Sequence, residues 1–208
     1  MSGIRAFAAA YTAHADPLAH HLLAQAHNNA WANDRLLGAI ARLAPGEFEA
    51  ARSGFFPSIR ASLSHNLTVD WYCIDAIERS RRGQPANQGF ASFFEPEVPC
   101  ATVAELRNAQ QAADRRLIAL SEPLDAAALR AEIGVPRAGG LSRKPLARLL
   151  AHLFQHPVHH RGQAHAMLSA TTVVPPQLDE FFCGWDAPLR AADFAALGVS
   201  EAVIWRAE

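Results

Sequence analysis

Residues 146–168 read LARLLAHLFQHPVHHRGQAHAML. Leu146, Leu149, Leu150, Leu153, Ala164 and Met167 share one face at helical spacing, so the stretch is an amphipathic helix with a core-facing stripe. His156 and His160 fall on that same face, one turn apart, and their rings project the same way. A buried imidazole needs hydrogen-bonding partners that a leucine does not. Two ring nitrogens aimed into a helical core are what a divalent metal needs. A pair of core histidines bonded to their neighbours would give the same pattern, so the spacing alone leaves both readings open. Pro157 removes the backbone hydrogen bond to residue 153 and is expected to bend the helix.

Upstream, Asp16-Pro17 is a helix start, with a capping carboxylate before a proline at the first helical position. The first long helix is expected to run to about Leu43, where Ala44-Pro45-Gly46 ends it. Its inward face takes Leu23, Ala26, Ala30, Leu37, Ile40 and Ala41. The second runs from about Ser58 to Arg81, with Ile59, Leu63, Cys73, Ile74 and Ile77 on one arc. Asn66 and Asp70 lie on that arc too, and His65 sits on its flank. Buried polar groups must be paired, so Asp70 is expected to accept from Trp31 or Arg161. Gly83 to Cys100 has no period and forms a long connection. Thr102 and Glu105 make a capping box for a third helix ending near Ser121.

Residues 128–141 carry Gly134, Pro136, Gly139 and Gly140 and suit a turn or a short hairpin. Ser142 with Pro145 is expected to start the helix quoted above. Leu178 to Cys183 is expected to form a short fifth helix, followed by an irregular tail with a helical pattern near Leu189 to Leu197. The expected fold is all-α: a four-helix bundle with a short fifth helix and an irregular C-terminal tail. One domain would span residues 1–208, with a core at about 17–184 and a C-terminal extension at 185–208.

Half of the 208 residues are hydrophobic, which excludes global disorder. The formal charge of −1 removes the electrostatic case for nucleic-acid binding. No apolar run is long enough to span a membrane. MSGIRAFAAAYTAHADP is broken by Tyr11, Thr12 and His14, and is taken as mature sequence rather than a secretion signal. Cys73, Cys100 and Cys183 form no CxxC, which argues against a thiol zinc site or a disulfide framework and for inert, buried thiols in a reducing cytoplasm.

The third ligand proposed for the histidine pair is His65. Three imidazoles with open positions make a catalytic type of site rather than a closed structural one. Zinc, nickel, iron, copper or manganese could sit there. His152 and His159 fall beside or outside the inward face, and His165 points away. His14, His20 and His21 are expected to be exposed, while His27 could line the cavity. Gln163 stands one turn beyond His160, where it could contact the cavity or bond another helix. Trp71, Trp185 and Trp205 are packing or surface residues. No Glu is followed by His three residues later, which argues against a ferritin-like di-iron bundle. HExxH is absent too.

His156-Pro157-Val158-His159-His160-Arg161-Gly162-Gln163 resembles the HxxxHRGQ signature of the DinB family. Ser64-His65-Asn66-Leu67-Thr68-Val69-Asp70 resembles that family's earlier nHllvaD segment, and Trp31-Ala32-Asn33 its WxN segment. Order and spacing agree over about residues 18–183. The resemblance implies a four-helix bundle, often a homodimer, holding a divalent metal on His65, His156 and His160. Asp70, Arg161, Gln163, Trp31 and Asn33 would then support the site or line its cavity. Some relatives depend on low-molecular-weight thiols such as mycothiol or bacillithiol. The function expected is a metal-dependent enzyme activating a thiol or water, a transferase or a hydrolase. A non-enzymatic, stress-related bundle binding a metal or small molecule is the alternative. A bundle with core histidines and no metal is the third reading.

Overall fold

The computed structural model describes residues 16–205. The chain is mostly helical, in the order α1 (Pro17–Ile40), α2 (Ile59–Arg81), α3 (Val103–Ser121), α4 (Ala126–Arg130), β1 (Glu132–Arg137), β2 (Gly140–Pro145), α5 (Leu146–Leu168), α6 (Ala187–Leu197) and α7 (Glu201–Trp205). The N-terminal segment read as mature sequence, with His14, lies outside the described residues.

Local chemistry sets the helix starts. The Asp16 carboxylate accepts from the backbone N–H groups of Leu18 and Ala19 and caps α1. Ser58 caps α2, and Thr102 with Glu105 closes a reciprocal capping box on α3. Each such cap contributes about 1 kcal/mol. α1 packs on α3 and α5, and α2 packs on the same two helices. Between them lies a core that includes Leu36, Ile40, Ile59, Leu67, Ile74, Leu117 and Leu153. Arg107 of α3 donates to both oxygens of Asp34 of α1.

Several expectations are corrected. The chain is mostly helical, and its one departure from all-α among the described residues is the short hairpin of the kind expected at 128–141, in which β1 and β2 pair antiparallel with Arg137 opposite Gly140 at the turn. Ser142 pairs with Val135 in that ladder and does not cap α5, which starts directly after Pro145 with no side-chain cap. α1 ends at Ile40, the next residues form tight turns, and Ala41 is exposed. Residues 178–183 form turns instead of a fifth helix. There the carbonyls of Glu180 and Cys183 accept from the backbone N–H groups of Cys183 and Asp186 in tight turns and also from the buried Arg190 guanidinium. The tail through Trp205 is largely helical, and α6 covers the helical pattern expected near Leu189 to Leu197. α6 ends at Gly198, whose φ of 71° is a left-handed conformation that suits glycine, and α7 follows.

The C-terminal helices build a second apolar cluster. Phe181, Phe194 and Ile204 pack with Trp31 and Ala24 of α1. Pro157 lies inside α5, yet the helix continues through it to Leu168. Among the described residues, no helix is long and apolar enough to cross a membrane.

Candidate metal centre

α2 and α5 lie side by side, and the Ser62 hydroxyl donates across the joint to the backbone carbonyl of His160 at 3.2 Å. That contact sets the height at which His65 meets the pair on α5. The Nε2 atoms of His65 and His156 stand 3.1 Å apart. One ring nitrogen from each of His65, His156 and His160 can be chosen so that all lie within 4.8 Å of one another. Ligands about 2.0–2.1 Å from a tetrahedral ion stand roughly 3.3 Å apart. The His65–His156 spacing already matches that edge, and a modest ring adjustment would bring in His160.

Burial first, and the neighbouring rings second, push His156 down to about 3. The same two causes lower His65, and burial lowers His160. Neutral rings keep their lone pairs free, which is the state a metal ligand requires. The Nδ1 of His160 lies 2.8 Å from the Gln163 Oε1, so the ring donates there and keeps Nε2 free. Gln163 in turn lies 3.1 Å from the exposed His159 through its amide nitrogen. A bond of this kind holds the tautomer and aim of a ligating histidine. The buried Nδ1 of His156 has no partner in the protein.

Phe56 covers the cluster, with ring centroids 4.7 Å from His65 and 5.4 Å from His160. In the same loop Gly54 lies tight against Met167, where a Cβ would come within 2.5 Å of the methionine methyl. His152 is exposed, with its ring 5.8 Å from that of His156. His165 turns to the Pro176 carbonyl, and His20 to that of Ile204. His21 is exposed.

The other residues singled out from the sequence are not gathered at the triad. Asp70, Asn33 and Arg161 belong to a separate buried network. Arg161 donates to the side-chain oxygens of Asn29 and Asn33. Both amides donate to Asp114 of α3, and Gln110 bridges Asp114 and Asp70. Asp70 therefore accepts from Gln110, not from Trp31 or Arg161. The Trp31 indole instead donates to Asp193 of α6 at 3.1 Å. Two carboxylates face one guanidinium in the interior. Burial, reinforced by Asp114, raises Asp70 to about 7, and burial raises Asp114 to about 6. The same burial lowers Arg161 to about 10.

Asn29, Gln110 and Asp114 were missed in the sequence. Their signal was available, since Gln110 and Asp114 sit one turn apart on the arc of α3 that also carries Leu106, Ala113 and Leu117. His27 is buried against α3, away from the triad. Cys73 and Cys100 are buried as expected, whereas Cys183 is exposed. Trp185 is fully at the surface.

The model described as the DinB family matches residues 19–190 of this chain, most of its length. A search of curated proteins returns no match.

Proposed function

Because the chain belongs to the DinB family, we propose that it is a four-helix-bundle metalloprotein whose divalent ion is held by His65, His156 and His160. The observation that carries this reading is the convergence of three imidazoles from two helices, with ring pKa values lowered by burial. His65 would approach from α2, and His156 and His160 from α5. Gln163 would aim His160, and Phe56 would shield the cluster from bulk water. A bound ion would lower the pKa of a thiol or water and stabilise developing negative charge. The reaction class we infer is thiol transfer or hydrolysis on a small molecule, in a single domain extended at residues 185–208. The three free cysteines are in keeping with a reducing cytoplasm.

Elemental analysis of the purified protein, after metal loading and desalting, tests the site. The expected result is about one divalent ion per chain, lost in His65→Ala, His156→Ala and His160→Ala while the helical circular dichroism persists. Unchanged metal content in all three variants would overturn the assignment. Turnover of thiol adducts and simple esters with added zinc, nickel or manganese then separates an enzyme from a binding protein.

A further inference from the structure

A hollow of about 560 Å³ lies between the β1–β2 hairpin and the connection that follows α2, at the far end of α2 from the histidine triad. Strand register fixes what the hairpin turns toward it. Gly134 pairs with Arg143 and Pro136 with Leu141, and cross-strand partners share a face. All four line the hollow, so the side chains of Arg143 and the 46%-exposed Leu141 leave the hairpin on that side. Gly134 has no side chain, which leaves the floor bare between Glu132 and Pro136. Pro85 and Phe90 of the long connection add apolar surface. Arg137 stands at the turn end. Its guanidinium lies 5.5 Å from the centroid of the Tyr72 ring, and Tyr72 donates to the Pro136 carbonyl and sits 6.1 Å from the Phe90 ring. That stacking holds the charged head beside two lining residues. Among the described residues, neither Arg137 nor Arg143 forms an ion pair. Glu132, the acid of the lining, sits at the other end of the hairpin, opposite Pro145.

We propose that the hollow between the hairpin and residues 83–90 is a binding site for a small organic carboxylate carried on a flat apolar body such as an aromatic ring. A guanidinium is always charged and presents a planar fork of donors that fits a carboxylate. Arg137 and Arg143 bring two such forks to one hollow. The apolar body would cover Leu141 and lie against Phe90 and Pro136, removing exposed apolar surface from water. A bare inorganic anion would meet the guanidiniums but leave that surface wet. The volume falls within the range of about 300–1,000 Å³ common for small-molecule sites. The long connection, read from the sequence as aperiodic, thereby gains a role as one wall of a site separate from the metal centre.

Cinnamate, cinnamamide and inorganic phosphate, titrated separately into the intact 15N-labelled protein at fixed ionic strength, provide the test. Cinnamate is expected to shift amide resonances at 80–90 and 132–143, and to bind at least about tenfold more tightly than the uncharged cinnamamide, the equivalent of one hydrogen bond to a charged group. Arg143→Ala and Arg137→Ala should each weaken cinnamate about tenfold with the helical spectrum intact. Arg148→Ala, which removes an exposed arginine outside the hollow, should leave it unchanged. Cinnamamide binding as tightly as cinnamate would reduce the hollow to a plain apolar recess and overturn the proposal. Phosphate binding as tightly would reduce it to a general anion patch and overturn it as well. No shifts with cinnamate, or shifts confined to the surroundings of His65, His156 and His160, would also sink it.

Discussion

Replacing Asp70 by asparagine should make the protein more stable, and increasingly so as the pH rises. The interior encloses Asp70, Asp114 and Arg161, two acids against one base, and Asp70 is 1% exposed. Its Oδ2 accepts from Gln110, while its Oδ1 has no partner. Burial and the nearby Asp114 raise this carboxyl from 3.8 to about 7. The sign follows from proton counting. Between pH 4 and 7 the folded state holds a proton that the unfolded chain has released, so stability falls as pH rises through that window. The slope is about 1.4 kcal/mol per pH unit, and from pH 5 to 8 the loss reaches roughly 3 kcal/mol.

An asparagine keeps the acceptor for Gln110 and never ionises. Urea unfolding followed by far-ultraviolet circular dichroism, at pH 5 and pH 8 with chelator present throughout, measures the difference. The gap between Asp70→Asn and the unmodified protein should widen by about 3 kcal/mol, equivalent to about 6–12 °C in Tm for a chain of this size. A gap that stays constant between the two pH values would refute the claim that a buried, excess negative charge exists here.

Three further outcomes are expected. Asp114→Ala leaves the amides of Asn29 and Asn33 without their acceptor and removes the stronger of the two counter-charges acting on Arg161, so urea titration should show a loss of about 3–5 kcal/mol. Gln163→Leu frees His160 to rotate and should weaken metal binding about 10- to 100-fold in competition with a chromophoric chelator, whereas Gln163→Glu retains an acceptor and should recover most of it. Arg190→Ala removes the ion pair to Glu201 and the two guanidinium hydrogen bonds to the carbonyls of Glu180 and Cys183, each worth about 1–3 kcal/mol, so limited proteolysis should cut between 178 and 200 before the long helices are touched.

Much of the site was legible in one strand of text. His156 and His160 are related by a single helical turn, so their common direction is a local property of α5. The capping box at Thr102 and the cap at Asp16 are equally local, and both stand as expected. His65 could be placed beside the pair only as a hypothesis, because its position depends on the register of α2 against α5. The contact from Ser62 to the His160 carbonyl shows that register. The expected partners of Asp70 and Trp31 were wrong for the same kind of reason. Gln110 and Asp193 are 40 and 162 residues away, and no periodicity encodes such pairings.

The sequence by itself determined the four long helices, the starts of the first three, their apolar faces and the shared direction of two histidines, because each depends on side chains within a few residues of one another. Tertiary structure decided the rest. It set Ser142 opposite Val135 in a hairpin where a cap was expected, added the Arg190 guanidinium to the turn at residues 180–183 where a helix was expected, and buried two acids with one arginine. In each case a contact outside the stretch itself chose the outcome, and a buried polar group takes whichever partner packing brings within reach.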